Sequence, residues 1–137
     1  MQRPDSGLIA GQVRQALEED LGSGDLTAGL VPPEALVRAR VVVREPAVLC
    51  GVDWFSEVFR QLDPRIQLAW SADDGDALEP GQLVCALNGT ARPILSGERT
   101  ALNFLQTLSG TASLAARYVA AVEGTPATIL DTRKTIP

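Results

Sequence analysis

Residues Asp131-Thr132-Arg133-Lys134-Thr135-Ile136-Pro137 place a guanidinium, an ammonium and two hydroxyls directly after a short apolar run, Ala127 to Leu130. Lys134 is the sole lysine; the other 11 of the 12 cationic side chains are arginines. A planar bidentate fork beside a mobile point charge, flanked by Thr132 and Thr135, suits a small ligand with two or more carboxylates or phosphates. In sheet-based α/β folds ligands sit at the carboxyl ends of strands, and the end of an apolar run is where these residues fall. Taken alone, a basic pair after a strand is more often a surface feature, because Arg and Lys are usually exposed.

A second candidate group is Gly97-Glu98-Arg99-Thr100-Ala101-Leu102-Asn103-Phe104-Leu105-Gln106, near the start of a long helical stretch. Arg99 could equally be an exposed arginine paired with Glu98 or a neighbour. A third is the acidic turn Ser71 to Asp76, with carboxylates at Asp73, Asp74 and Asp76. A calcium loop of the EF-hand type needs twelve residues with ligands out to a distal Glu, so a solvated turn is the better reading and no metal ligands are assigned. Histidine is absent. That excludes Ser-His-Asp and Cys-His devices and every His-containing zinc site within these residues. Cys50 and Cys85 lie in apolar strand-like stretches and read as reduced core cysteines. No catalytic residue is assignable.

The elements that must position these groups follow from periodicity. Ile9, Val13, Ala16, Leu17 and Leu21 recur at helical spacing, and Gly22 can end that helix. Gly22 to Pro33 is rich in Gly and Pro and reads as a loop. Val37, Ala39, Val41 and Val43 alternate with Arg38, Arg40 and Arg44, which predicts a half-buried strand with one wet face. Ala47 to Cys50 reads as a second strand. Val52, Phe55, Val58, Phe59 and Leu62 predict a short amphipathic helix, with Asp53 near its start favouring the dipole. Ile66, Leu68 and Trp70 alternate again, and Gln82 to Leu87 is a further strand. Leu95 to Val122 is mainly helical, with Gly110 expected to interrupt or kink it and Gly124 and Pro126 stopping it. The order is a mixed α+β module, a helical connector and the first strand of something else.

Composition bounds the function classes. A length of 137 residues with 45% hydrophobic and 21% charged side chains describes a soluble globular chain with enough apolar surface for a core. A formal charge of −5 argues against general nucleic-acid binding, which needs a basic face. No apolar run approaches the roughly 18 residues of a membrane span, and the N-terminus lacks the apolar segment of a signal peptide. A cytoplasmic location is expected.

Residues 91–113, ARPILSGERTALNFLQTLSGTAS, followed by LDTRKTIP at 130–137, closely resemble quinolinate phosphoribosyltransferase, also called carboxylating nicotinate-nucleotide pyrophosphorylase. Residues 16–27, ALEEDLGSGDLT, resemble the same family's N-terminal signature. The resemblance covers nearly the whole chain in order. It implies the joining of quinolinate to 5-phosphoribosyl 1-diphosphate with Mg²⁺, releasing diphosphate, CO₂ and nicotinate mononucleotide on the route to NAD. It implies an α+β N-terminal sandwich, of barrel-sandwich or hammerhead-like type, leading into a truncated α/β barrel whose first strand is Ala127 to Asp131. Residues 1–110 would hold the sandwich and the start of the connector helix. Residues 111–137 would hold the rest of the connector and the first barrel strand. Thr132, Arg133 and Lys134 map onto the quinolinate pocket, and Arg99 onto an arginine that reaches the neighbouring subunit's pocket in an assembly at least dimeric.

The residue chemistry agrees: two adjacent carboxylates on the ligand match a cluster of Arg99, Arg133 and Lys134 through charge-assisted hydrogen bonds. The family's acidic metal contacts and phosphate loops would lie past Pro137, so this polypeptide alone is expected to be inactive, or part of a longer or split protein. Ile129 and Leu130 are expected to be less buried than in a complete barrel. A non-catalytic dimerising fragment and a molybdenum-operon homologue of the same fold are the alternatives. Residues 75–89, GDALEPGQLVCALNG, also resemble the hairpin of a biotinyl or lipoyl carrier, but such a carrier needs a lysine at the hairpin tip, and Lys134 is far away.

Overall fold

Strands that face water on one side alternate in polarity, whereas a central strand reads apolar along its length. The chain contains both kinds. The computed structural model describes residues 3–130. Within them β1 (Leu36–Val42), β2 (Ala47–Val48), β3 (Gln67–Trp70), β4 (Ala77–Leu78) and β5 (Leu83–Thr90) combine with α1 (Ser6–Leu21), α2 (Leu26–Gly29), α3 (Val52–Leu62) and α4 (Ala91–Ala121). The larger sheet is antiparallel with order β1-β5-β3, and β2 pairs with β4 in a second, two-stranded sheet. The apolar strand β5 is the central one. In β1, Val37, Ala39 and Val41 turn inward and Arg38 and Arg40 stay exposed, as the alternation predicts. The register shifts between Val41 and Val42, which bends the end of that ladder.

Helices α1, α3 and α4 pack against one another. Their inward residues form one core with the sheet: Ile9, Val13 and Leu17 from α1, Phe55, Val58 and Phe59 from α3, Leu49, and Val84, Cys85 and Leu87 from β5. The Trp70 ring of β3 stands edge-on to Phe55, centroids 5.2 Å apart and planes at 76°. Its indole N–H donates to Ser56 Oγ at 3.1 Å, and Trp54 Nε1 donates to Gln12 Oε1 at 2.9 Å. Cys85 is fully buried, and burial pushes its thiol up to about 11; both cysteines are free.

Three sequence expectations are corrected. The stretch 22–33 is not all loop, because Asp25 accepts from the Thr27 and Ala28 amides at 2.9 and 3.3 Å and caps the single turn α2. The acidic turn is not merely solvated: Asp74 Oδ1 accepts from the amides of Gly51 and Val52 at 2.8 and 3.0 Å, filling the capping role at the start of α3. Helix α4 continues through Gly110 without interruption. On either side of that glycine, Ser109 and Ser113 dock on the β2 segment. Ser109 Oγ bridges the Cys50 N–H and C=O at 3.0 Å each, and Ser113 Oγ accepts from Val48 N at 2.8 Å. These bonds hold a helix whose intrinsic cost at Gly is only about 1 kcal/mol. The point between residues 110 and 111 therefore lies inside α4. Ala127 to Leu130 pairs with no strand among the described residues, and Leu130 is 78% exposed.

The junction of α3 with α4 rests on Asp63, a buried carboxylate just past α3. It accepts from the Arg65 amide at 3.0 Å, from Arg65 Nε and Nη2 at 2.9 Å each, and from Thr90 Oγ1 at 3.2 Å. The Arg65 guanidinium and amide hold this carboxyl well below the usual carboxylate range. A depressed pKa means that the bonds contribute stability above the ordinary carboxylate value near 3.8, and that the contribution is lost as pH falls through and below it. In acid titrations followed by circular dichroism, wild-type stability should decline below about pH 4. The Asp63→Asn variant should be less stable at pH 7 and show a shallower decline; identical slopes would remove Asp63 from the account.

Above that junction α3 and α4 approach closely at Gly97. A Cβ built there would lie 2.6 Å from Leu62 Cδ1, 3.0 Å from Phe59 Cε1 and 3.1 Å from Val58 Cγ1. All three neighbours lie on α3, so even one methyl must push the helices apart or shift core side chains. Gly97→Ala should lower stability by about 1–3 kcal/mol despite its gain in helix propensity. Urea denaturation measures it, and an unchanged midpoint would show that the interface can absorb the methyl.

Candidate functional site

Two residues after Gly97, the same helix turn carries Arg99, and the helix α1 ends directly opposite. Helix α1 ends at Gly22, whose N–H makes the last bond to Glu18 O at 3.1 Å and whose positive φ of 52°, a conformation that favours glycine, turns the chain out of the helix. That leaves Asp20 in the last turn of α1, facing the first turns of α4. Asp20 Oδ1 accepts from Arg99 Nη1 at 3.3 Å, and Asp20 Oδ2 accepts from Thr100 Oγ1 at 3.3 Å. Thr100 is buried and Asp20 is an exposed residue whose carboxylate side chain is itself only 22% exposed, whereas the Arg99 side chain is 76% exposed. The arginine therefore pairs across the fold with α1, not with Glu98 beside it.

The loop after α1 completes a cleft of about 300 Å³ whose polar lining includes Asp20, Asp25, Thr27, Ser96, Glu98 and Arg99. The Ser96 hydroxyl, the Ala28 and Thr27 amides and the Arg99 charge all hold the Asp25 carboxyl below its ordinary range. A neighbouring hollow of about 510 Å³ lies between the same loop, Leu62 and the start of α4. Arg92 is engaged there, its Nε donating to Val31 O at 2.6 Å, so the far side of the loop is fastened to α4 as well.

Electrostatically this corner is one-sided. Three carboxylates, Asp20, Asp25 and Glu98, flank a single guanidinium, so the cleft itself repels an anion while Arg99 presents its outer edge to solvent. Such an arrangement can offer a bidentate fork to a carboxylate arriving from outside the chain's own cleft. Among the described residues no group of three or more His, Cys, Asp or Glu side chains could hold a metal ion. Of the four substrate-binding candidates, Arg99 is placed by the structure. Thr132, Arg133 and Lys134 lie outside the described residues. Sequence reasoning missed Asp20 as the partner of Arg99: it stood within the ALEEDLGSGDLT stretch, but a separation of 79 positions gives no local pairing signal.

Comparison with known proteins matches this architecture. The family described as Quinolinate phosphoribosyl transferase, N-terminal domain, matches residues 25–109. A probable carboxylating nicotinate-nucleotide pyrophosphorylase of Bacillus subtilis is 37% identical over 119 residues, covering 87% of this chain and 41% of the relative. Its counterpart from Mycobacterium leprae is 40% identical over 131 residues, covering 91% and 45%. The structure of the nicotinate-nucleotide pyrophosphorylase from Francisella tularensis superposes with a TM-score of 0.94 at 38% identity, over 98% of this chain and 49% of that one. The Ehrlichia chaffeensis protein gives 0.87 at 33% identity, over 100% and 49%. The chain thus spans a little under half the length of these relatives. The matched segment runs from the cap of α2 through Arg99 and most of the docked half of α4, and on that ground the chain belongs to the quinolinate phosphoribosyltransferase family, whose N-terminal domain it carries.

Proposed function

We propose that this chain supplies the N-terminal part of a quinolinate phosphoribosyltransferase. The enzyme would convert quinolinate and 5-phosphoribosyl 1-diphosphate to nicotinate mononucleotide, CO₂ and diphosphate in NAD biosynthesis. The observation that carries the reading is Arg99: an exposed guanidinium, fixed at one edge, in a domain that the family profile spans from residue 25 to 109. Quinolinate has two adjacent carboxylates. Arg99, with Thr132, Arg133 and Lys134, offers the planar fork, point charge and hydroxyl that such a dianion accepts.

In this reading the cations mainly hold and orient the substrate. Fixing both carboxylates sets the ring nitrogen toward the anomeric carbon of the phosphoribosyl group, which supplies proximity. The nitrogen–carbon bond forms as the bond to diphosphate breaks. The quaternised ring then accepts the electron pair of the carbon–carboxylate bond, CO₂ leaves, and the carbon takes a proton from solvent. The family implies Mg²⁺ for diphosphate departure. Among the described residues no group of three or more His, Cys, Asp or Glu side chains is arranged to hold that ion.

An assembly of at least two copies fits the exposure of Arg99, which is held to its own acidic cleft through Asp20 yet leaves most of its side chain open to solvent. Exposed apolar side chains offer surface for such an assembly: Leu26 and Leu30 on and next to α2, and separately Leu114, Tyr118 and Val119 on the outer half of α4. The first strand of the barrel would follow from Ala127 to Asp131, where it would need neighbouring strands to complete its ladder.

The test is steady-state kinetics on a polypeptide that continues past Pro137 into the barrel. Arg99→Ala should raise KM for quinolinate by roughly 10–150-fold, the equivalent of one lost charge-assisted hydrogen bond of about 1.5–3 kcal/mol. KM for phosphoribosyl diphosphate should stay within about two-fold, and Lys134→Ala should act in the same direction as Arg99→Ala. This chain by itself should give no nicotinate mononucleotide. An Arg99→Ala enzyme with unchanged quinolinate affinity would overturn the assignment of that residue.

A further inference from the structure

We propose that Asp20 is the positioning residue for Arg99: a carboxylate on α1, anchored through buried Thr100, that aims the guanidinium at the substrate carboxylate. The inference rests on the reading of Arg99 as a quinolinate contact and adds to it a group that never touches the substrate.

The geometry separates the two halves of the contact. Thr100 is 4% exposed and lies in the packed wall of α4, so its hydroxyl is a fixed donor to Asp20 Oδ2. The other oxygen, Oδ1, faces Arg99 Nη1. The Asp20 side chain is 22% exposed against 76% for Arg99, so the carboxylate belongs to the wall and the arginine to the solvent. An unpaired arginine on a helix surface samples many rotamers; one gripped at Nη1 by a rigid carboxylate keeps a single direction and leaves its other N–H donors for a ligand. A largely exposed ion pair adds little to stability, so orientation is the larger consequence of this contact. Asp25 and Glu98 close the same flank with negative charge. A dianion is therefore turned away from the cleft and meets Arg99 from its outer edge.

The test uses the polypeptide that continues into the barrel, with quinolinate varied at saturating 5-phosphoribosyl 1-diphosphate. Asp20→Asn keeps an oxygen for the Thr100 hydroxyl but loses the charge that grips Arg99. It should raise KM for quinolinate about five- to ten-fold, with kcat and KM for phosphoribosyl diphosphate within about two-fold and little change in melting temperature. Asp20→Glu should recover part of the affinity. Placed on an Arg99→Ala background, Asp20→Asn should add nothing further, because the two residues act as one unit. Full additivity, a lowered KM in Asp20→Asn, or a lowered melting temperature with unchanged KM would each overturn the proposal. If Asp20→Asn is silent while Arg99→Ala raises KM, the site reading stands and only the positioning role fails. If Arg99→Ala is itself silent, the site reading fails and the inference with it.

Discussion

With no side chain at position 97, α4 can lie against Leu62, Phe59 and Val58 of α3 at a distance that a single methyl would disrupt. Much else follows from that approach. It fixes the rotation of α4, so that Ala91, Ile94, Ala101 and Leu105 enter the core and Arg99 points out beside the end of α1. It also brings Ser109 and Ser113 over the β2 segment, where their hydroxyls satisfy three backbone groups of Val48 and Cys50. A long helix held at both the glycine contact and the serine contacts is a rigid mount, and a side chain on it inherits that rigidity.

The carboxylates serve as joints in the same frame. Asp63 ties the end of α3 to Arg65 and to the start of α4. Asp74 caps α3 from the turn between the short strands, and Asp25 caps α2. Asp20 joins the end of α1 to α4. In each case a carboxylate oxygen accepts from a helix-end amide, a hydroxyl or a guanidinium, which satisfies donors that would otherwise be left without partners as the helices pack. These four carboxylates serve the frame, while the Arg99 side chain they leave beside the end of α1 stays largely exposed.

Much of this was legible in the order of residues. The alternation of Val37, Ala39 and Val41 with Arg38 and Arg40 requires a strand with one wet face, because successive side chains point to opposite sides. The spacing of Ile9, Val13 and Leu17, or of Phe55, Val58 and Phe59, requires a buried helix face for the same kind of reason. The motif strings around Arg99, at residues 130–137 and at residues 16–27 carried the family. Less legible were features that depend on distant partners. Asp74 looked like part of a solvated turn because nothing near it in sequence says that the start of α3 lies against it. Gly110 looked like a break because helix propensity is local, whereas the serines that hold α4 on either side of it bond to residues about 60 positions away.

The sequence by itself determined β1, β2, β3 and β5, the helical faces, the family and the identity of the cationic residues, because periodicity and motif are properties of neighbours along the chain. It missed the two-residue strand β4 and expected a strand over Ala127 to Leu130, where the described residues form none. Only the tertiary structure decided that Arg99 answers to Asp20 and not to Glu98, and that Gly97 is a contact and not merely a weak helix former. Both are matters of which surfaces meet. A pair separated by 79 positions becomes a 3.3 Å contact once α1 packs against both α3 and α4.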